Sequence, residues 1–197
     1  MAIRSLKTNS FSRSLLVGNA YYVPPYFDSI ATVTVGSGGA SYAEFTSIPS
    51  TYTHLQIRYT AQTTTGGTSS DNLWISFNSD TTYTNYRRHY LYTDGSVASA
   101  GTGQSSSTYG ALGFASRAGS TSIMGAGVID ILDYTLTNKH KTIRSLSGKD
   151  SNGAGEIVFY SSMWFPSTIA AISSIKIQSE ANNLAQYSSF ALYGIKA

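Results

Sequence analysis

The chain has no cysteine and little charge. Without thiols, it can form no disulfide, no thiolate nucleophile and no Cys-ligated zinc site. Asp, Glu, Lys and Arg make up 12% of the 197 residues, against ~25% in ordinary soluble domains. Its polar surface must therefore come from Ser, Thr, Asn, Gln and the 15 Tyr. No apolar run approaches the ~18 residues of a membrane-spanning helix, so no membrane insertion is expected. There is no heptad seam, which excludes a coiled coil. No repeat with a period of roughly 20–50 residues appears, which argues against a solenoid or propeller. The length suffices for a proper core. Packing and backbone pairing must then supply the stability, with oligomerisation as a further source.

The little charge present is unevenly placed. Residues 1–27 hold Arg4, Lys7 and Arg13 and no acid, the first carboxylate being Asp28. Of 13 basic residues these three leave ten, against ten acidic, so the whole excess of +3 lies in this stretch. Its apolar residues follow neither a helical nor an alternating period. Pro24 and Pro25 then stop any helix. The longest apolar run, Leu15-Leu16-Val17, is too short for a secretory signal. Three charges are too sparse for a nucleic-acid arm, so no nucleic acid is expected as partner. The stretch reads as an extended docking arm, with Arg4, Lys7 and Arg13 supplying charge and Leu6, Phe11, Leu15 and Leu16 supplying apolar grip. The expected partition is an arm over 1–27 and one head domain over 28–197.

Beyond the arm, strand patterns recur every ~10–15 residues and no helix of normal length appears. Ser29–Val35 and Tyr42–Thr46 alternate about Gly36-Ser37-Gly38-Gly39 and are expected to form a hairpin. His54–Thr60 sets Leu55, Ile57 and Tyr59 against Gln56 and Arg58. Asn72–Asn78 and Tyr86–Tyr92 follow, the latter closed by Asp94-Gly95. Val97–Thr108 is low in complexity and reads as a surface loop. Ser122–Tyr134 reads as one long central strand bent at Gly125 and Gly127. Strands are also expected near 109–115, 141–147, 156–164, 175–178 and 188–195, with one helical turn at Ile169–Ile172. The cadence predicts an all-β, antiparallel β-sandwich of jelly-roll type.

Motifs for chemistry are sparse. His54, His89 and His140 have no acid at metal-ligand spacing. Asp130 and Asp133 fall on opposite faces of a strand, so they share no catalytic role. Asp130, if inward, would pair with Arg144 or Arg58. Asp150-Ser151-Asn152-Gly153 opens like a calcium loop, but its twelfth position is Ser161. No GxSxG, P-loop or glycosylation sequon occurs. No catalytic residue, metal or cofactor is therefore assigned, and no enzyme activity is expected. Aromatic faces suit the apolar face of a sugar ring. Trp164 and Phe165, at a strand end before Pro166, are the candidate glycan contacts. Tyr90 joins them because it borders the basic run Arg87-Arg88-His89, which would meet an acidic glycan or a neighbouring subunit.

Several stretches together resemble small virion structural proteins of tailed bacteriophages, aquatic phages in particular. They are the opening MAIRSLKTNSFSRSLLVGN, the segments SIATVTV (29–35) and SIPSTYTHLQIR (47–58), and the ending QYSSFALYGIK (186–196). The resemblance implies a virion location, an N-terminal arm docked on other virion proteins, and an outward sandwich, often a homotrimer. Tail or baseplate protein and major capsid protein are both open as the docking partner. The expected role is a short tail fibre contacting host-surface carbohydrate. A capsid decoration protein is the alternative, and a stand-alone carbohydrate-binding module is the alternative of another class.

Overall fold

The computed structural model describes residues 26–67, 70–104, 110–117, 123–150, 155–180 and 182–196. Twelve strands run in chain order as β1 (Phe27–Thr34), β2 (Tyr42–Phe45), β3 (His54–Thr63), β4 (Ser70–Phe77), β5 (Tyr86–Thr93) and β6 (Ala98–Gln104), then β7 (Gly110–Arg117), β8 (Gly125–Ile131), β9 (Lys141–Asp150), β10 (Gly155–Trp164), β11 (Ile175–Ser179) and β12 (Ser189–Ile195). A 3-10 turn, Tyr83–Asn85, precedes β5.

Eight strands form one antiparallel sheet in the order β1-β12-β3-β8-β9-β10-β5-β6. The second sheet runs β2-β11-β4-β7. The two join where the end of β3 lies parallel to β7 at Gln62 and Thr63. The pairings nest: β1 takes β12, β2 takes β11, β3 takes β8, β4 takes β7 and β5 takes β6. Such nesting is the wrap of a jelly roll. The expected all-β antiparallel sandwich is thus the observed fold.

Period-two alternation builds the core. β3 buries Leu55, Ile57, Tyr59 and Ala61 and turns Arg58 and Thr60 to solvent. Beside them in the same sheet are Phe190 and Leu192 of β12, and from the other sheet come Leu73, Ile75 and Phe77 of β4 and Ile175 and Ile177 of β11, all in one buried cluster. β1 completes the larger sheet at its edge. There the Arg58 guanidinium lies 5.3 Å from the Phe27 ring, which stacks on Tyr193 at 4.8 Å. The Lys196 amide also donates to the Tyr26 carbonyl, 3.0 Å away. Tyr26 and Phe27 therefore belong to the head, two residues earlier than the expected boundary.

Four local expectations are corrected. β1 and β2 make no hairpin, because the Gly36–Gly39 turn, with Gly38 and Gly39 at positive φ, carries the chain between sheets. Within Val97–Thr108, Ala98–Gln104 is a strand rather than a loop. Its register comes from the Asp94-Gly95 hairpin, where the Asp94 carboxylate accepts the Ser96 and Val97 amides at 2.8 and 2.7 Å. The long central strand stops at Ile131, since Asp133 adopts φ 50 in a turn. Ile169–Ile172 forms no helical turn.

Two tyrosine rings lie flat over cross-strand glycines. Tyr59 faces Gly127 and Tyr90 faces Gly101 in the ladders. A Cβ at Gly127 would meet the Tyr59 ring at 2.6 Å, and one at Gly101 would meet Tyr90 at 2.5 Å. Because Tyr59 is held in the core, it cannot swing aside as a surface ring could. Gly127→Ala is expected to destabilise the domain by about 1–3 kcal/mol, the usual cost of overpacking. Urea unfolding of the variant checks this, and an unchanged midpoint would show that the ring is free to move.

Candidate functional site

β5 and β10 are paired in register, and alternation gives each two unlike faces. Inward point Tyr86, Arg88, Tyr90 and Tyr92 from β5, opposite Trp164, Ser162, Tyr160 and Val158 from β10. The Tyr86–Trp164 end enters the main core, with the Phe77 ring 5.5 Å from Trp164 and tilted at 49°. The other end opens into a pocket of about 370 Å³ lined by Asn72, Arg88, Tyr90, Tyr92, Ser99, Val158 and Tyr160. The Tyr90 and Tyr160 rings stand 6.0 Å apart at 57°.

The polar groups around this pocket are unevenly satisfied. The Arg88 guanidinium lies over the Trp74 ring at 5.9 Å. Its Nε is buried and has no hydrogen-bond partner among the described residues, as is true of Trp74 Nε1 and Ser162 Oγ. Two carboxylates flank the site. Glu180 accepts from Asn72 Nδ2 at 2.6 Å, and Glu156 accepts from Ser70 Oγ. Burial pushes the Tyr160 phenol above its ordinary pKa, with Arg88 pulling it partly back. Burial, then Glu156 and Asp94, push Tyr92 the same way. Both hydroxyls therefore stay protonated at neutral pH, able to donate and to accept.

The outer face of the same strands is apolar. Leu91 is 60% exposed, Ile157 56%, Leu146 49%, Phe159 40% and Met163 38%. The ladders set Leu91, Phe159 and Leu146 side by side on β5, β10 and β9, with Ala100 next on β6 and Val128 on β8. Shallow grooves of about 470 and 490 Å³ run between β6, β5 and β10 on this face.

The expected contacts separate. Tyr90 lies in the pocket. Trp164 does not: it is buried, its indole Nε1 donating to Asp80 Oδ2 at 2.7 Å, so it offers no sugar platform. The aromatic-before-proline cue marked a strand end that turns into the core. Phe165 is half-buried and its ring is covered by the Arg87 guanidinium at 5.0 Å. The arm residues Arg4, Leu6, Lys7, Phe11, Arg13, Leu15 and Leu16 lie outside the described residues. Asp130 takes a hydrogen bond from Gln56 Nε2 at 2.8 Å rather than an arginine ion pair, though Arg144 is its ladder neighbour. Among the described residues no three His, Asp or Glu side chains converge as a metal site. Sequence reading passed over Tyr92, Tyr160 and Asn72, although the Tyr-x-Arg-x-Tyr-x-Tyr alternation of 86–92 was visible. The chain matches no protein-family model, no curated protein and no solved structure.

Asp80 ties this end of the sandwich together. Burial alone would raise its pKa, but donors from Asn85, Trp164 and Thr82 outweigh burial and hold the carboxyl below its ordinary value. A carboxyl depressed in the fold adds stability that is complete above its unfolded pKa of ~3.9 and is lost as pH falls through the lower folded value. Asp80→Asn is therefore expected to be less stable at neutral pH and to lose less stability between about pH 4 and pH 2. Asp94 and Asp133, also depressed, keep some acid sensitivity in the variant. Urea midpoints measured across that range for both proteins provide the check.

Proposed function

We propose that this chain is a non-enzymatic structural protein of a tailed-phage virion. The segment ahead of β1 docks on the particle, and the sandwich stands outward in several copies as a short tail fibre. The observation that carries the reading is the apolar face of β9, β10 and β5. Four strand spacings of ~4.8 Å from β8 to β6 and about four residue steps of ~3.3 Å, bounded by the His89–Ser161–Arg144 row, give a tile of roughly 250 Å² in projection. A patch of that order is comparable with the largest one on a typical monomer, ~300–600 Å² of accessible surface and often functional. Rimmed by Arg87, His89, Arg144 and Asp130, it has the layout of a standard interface, an apolar centre inside a polar edge. A stand-alone carbohydrate-binding module has no use for such a face.

The occupant that fits is a second copy of this chain. The arm is basic and the rim is mostly basic, so charge argues against the arm lying there. The apolar face also runs onto β6, whose sequence ASAGTGQ ends the larger sheet with no charge and no proline. Nothing there discourages pairing with another copy, unlike the charged or bulged edges that block it. The docking segment leaves from β1, at the opposite edge, seven strand spacings or ~34 Å away along the sheet. Anchorage and self-association thus need not compete for surface.

Two experiments test this. Deleting residues 1–25 is expected to leave the head folded, with an unchanged far-ultraviolet spectrum, while incorporation into particles falls to background. Retained incorporation would refute the docking role, and antibody labelling of intact particles would tell a fibre from a capsid decoration. Separately, Leu91→Glu with Phe159→Glu is expected to convert the oligomer to a folded monomer in sedimentation. A wild-type monomer at micromolar concentration would refute the interface.

A further inference from the structure

We propose that the inner pocket of β5 and β10 binds a neutral saccharide. The inference deepens the outward-head reading and rests on it for its biological setting alone, since binding belongs to the isolated chain. A saccharide needs apolar ring faces beside hydrogen-bonding groups that both donate and accept. Tyr90, Tyr92 and Tyr160 supply both, because their rings line the wall and a phenol hydroxyl can donate and accept. Arg88 lines the same wall and adds a planar cation with N–H donors in fixed geometry, which ligand hydroxyls can accept. At about 370 Å³ the pocket is at the small end of ligand sites, the size for one or two sugar rings.

Charge selects the class. Arg88 alone would favour an acidic sugar, as guanidinium and carboxylate pair well. Glu180, however, is bonded to the pocket residue Asn72 at 2.6 Å, and Glu156 is bonded to Ser70, two residues before it on β4. Two carboxylates beside the pocket disfavour an anionic guest. They do not disfavour a hydroxylated neutral ring. The pocket is also pre-set: Gly101 lets the Tyr90 ring lie against β6, where any Cβ would displace it.

The full-length protein is tested against an array of neutral and acidic bacterial oligosaccharides, and the strongest hit is titrated by saturation-transfer NMR. Binding of a neutral oligosaccharide is expected, with a single-site Kd on the order of millimolar for so small a guest. Arg88→Gln and Tyr160→Ala should each weaken it at least about tenfold, the scale of one lost polar or stacking contact. Tyr160→Phe, which keeps the ring and the packing, should weaken it less. Tyr26→Ala, exposed on the far edge, and deletion of residues 1–25 should leave it unchanged. Absence of any binding, or binding indifferent to Arg88 and Tyr160, overturns the site. Preference for acidic glycans overturns the ligand class, and release of shortened oligosaccharide overturns a binding-only role. None of these outcomes changes particle incorporation, which reports on the arm.

Discussion

The register between β5 and β10 is the constraint on which the rest depends. Tyr90 opposite Tyr160 and Leu91 opposite Phe159 are consequences of one alignment. A slip of one residue would put the tyrosines and Arg88 on the solvent face and drive Leu91, Ile157 and Phe159 inward. That slip is opposed at one end, where Tyr86 and Trp164 are buried against Phe77 and Trp164 is bonded to Asp80. The Asp94-Gly95 turn, whose length fixes β6 against β5, carries β6 into the same alignment. The Tyr90 ring over Gly101 holds that second register, since only a glycine leaves room for it. The pocket and the apolar face are thus two sides of one alignment.

The low charge has a structural counterpart. The ion pairs among the described residues include Lys139 with Asp133 on an exposed turn, Lys176 with Glu44 and Lys196 with Asp28. Exposed pairs are worth little, so cohesion falls to ladder hydrogen bonds and the aliphatic core. The buried Lys141 shows how sparingly charge is placed inside. Its ammonium donates to the Leu136 and Lys139 carbonyls, and burial pushes its pKa down. Closing the roll also matters, because β12 lies between β1 and β3 and so ties the start of the head to its end. The Asp28 carboxylate, bonded to Tyr52 and near Lys196, reinforces that seam.

Much of the fold was legible because alternation is a local signal. β3 and β12 bury and expose residues in the order their sequences spell. β9 and β10 keep the period but bury Lys141, Ser145 and Ser162 and expose Leu146, Ile157 and Phe159. What failed was non-local or compositionally silent. A turn of four residues with three glycines reads as a hairpin whether the chain folds back or crosses to another sheet. β6 carries small polar residues whose strand state depends on its neighbour, so Ala98–Gln104 looked like a loop. The site was half legible. Tyr90 was singled out for bordering a basic run, a reason unrelated to its actual company of Tyr160, Tyr92 and Asn72. Those partners come from β4 and β10, and no spacing along the chain reports them. Trp164 misled for a physical reason, since a tryptophan before a proline is as well suited to plug a sandwich end as to meet a ligand.

The two proposals gain from each other through geometry. A shallow pocket around one guanidinium and three phenols gives weak affinity for a single sugar, since few atoms are enclosed. Joining copies through the outer face would present several such pockets from one rigid body. The second and later binding events then become intramolecular, and avidity can exceed single-site affinity by ~10²–10⁴ without any new contact. Because the same strands carry apolar residues outward and tyrosines inward, association would not occlude the pocket. It would instead brace β5 and β10 from behind, stiffening the wall on which Tyr90 and Tyr160 stand. A weak reader multiplied by assembly suits a surface that must release and rebind while searching. A single tight site would halt that search at the first contact.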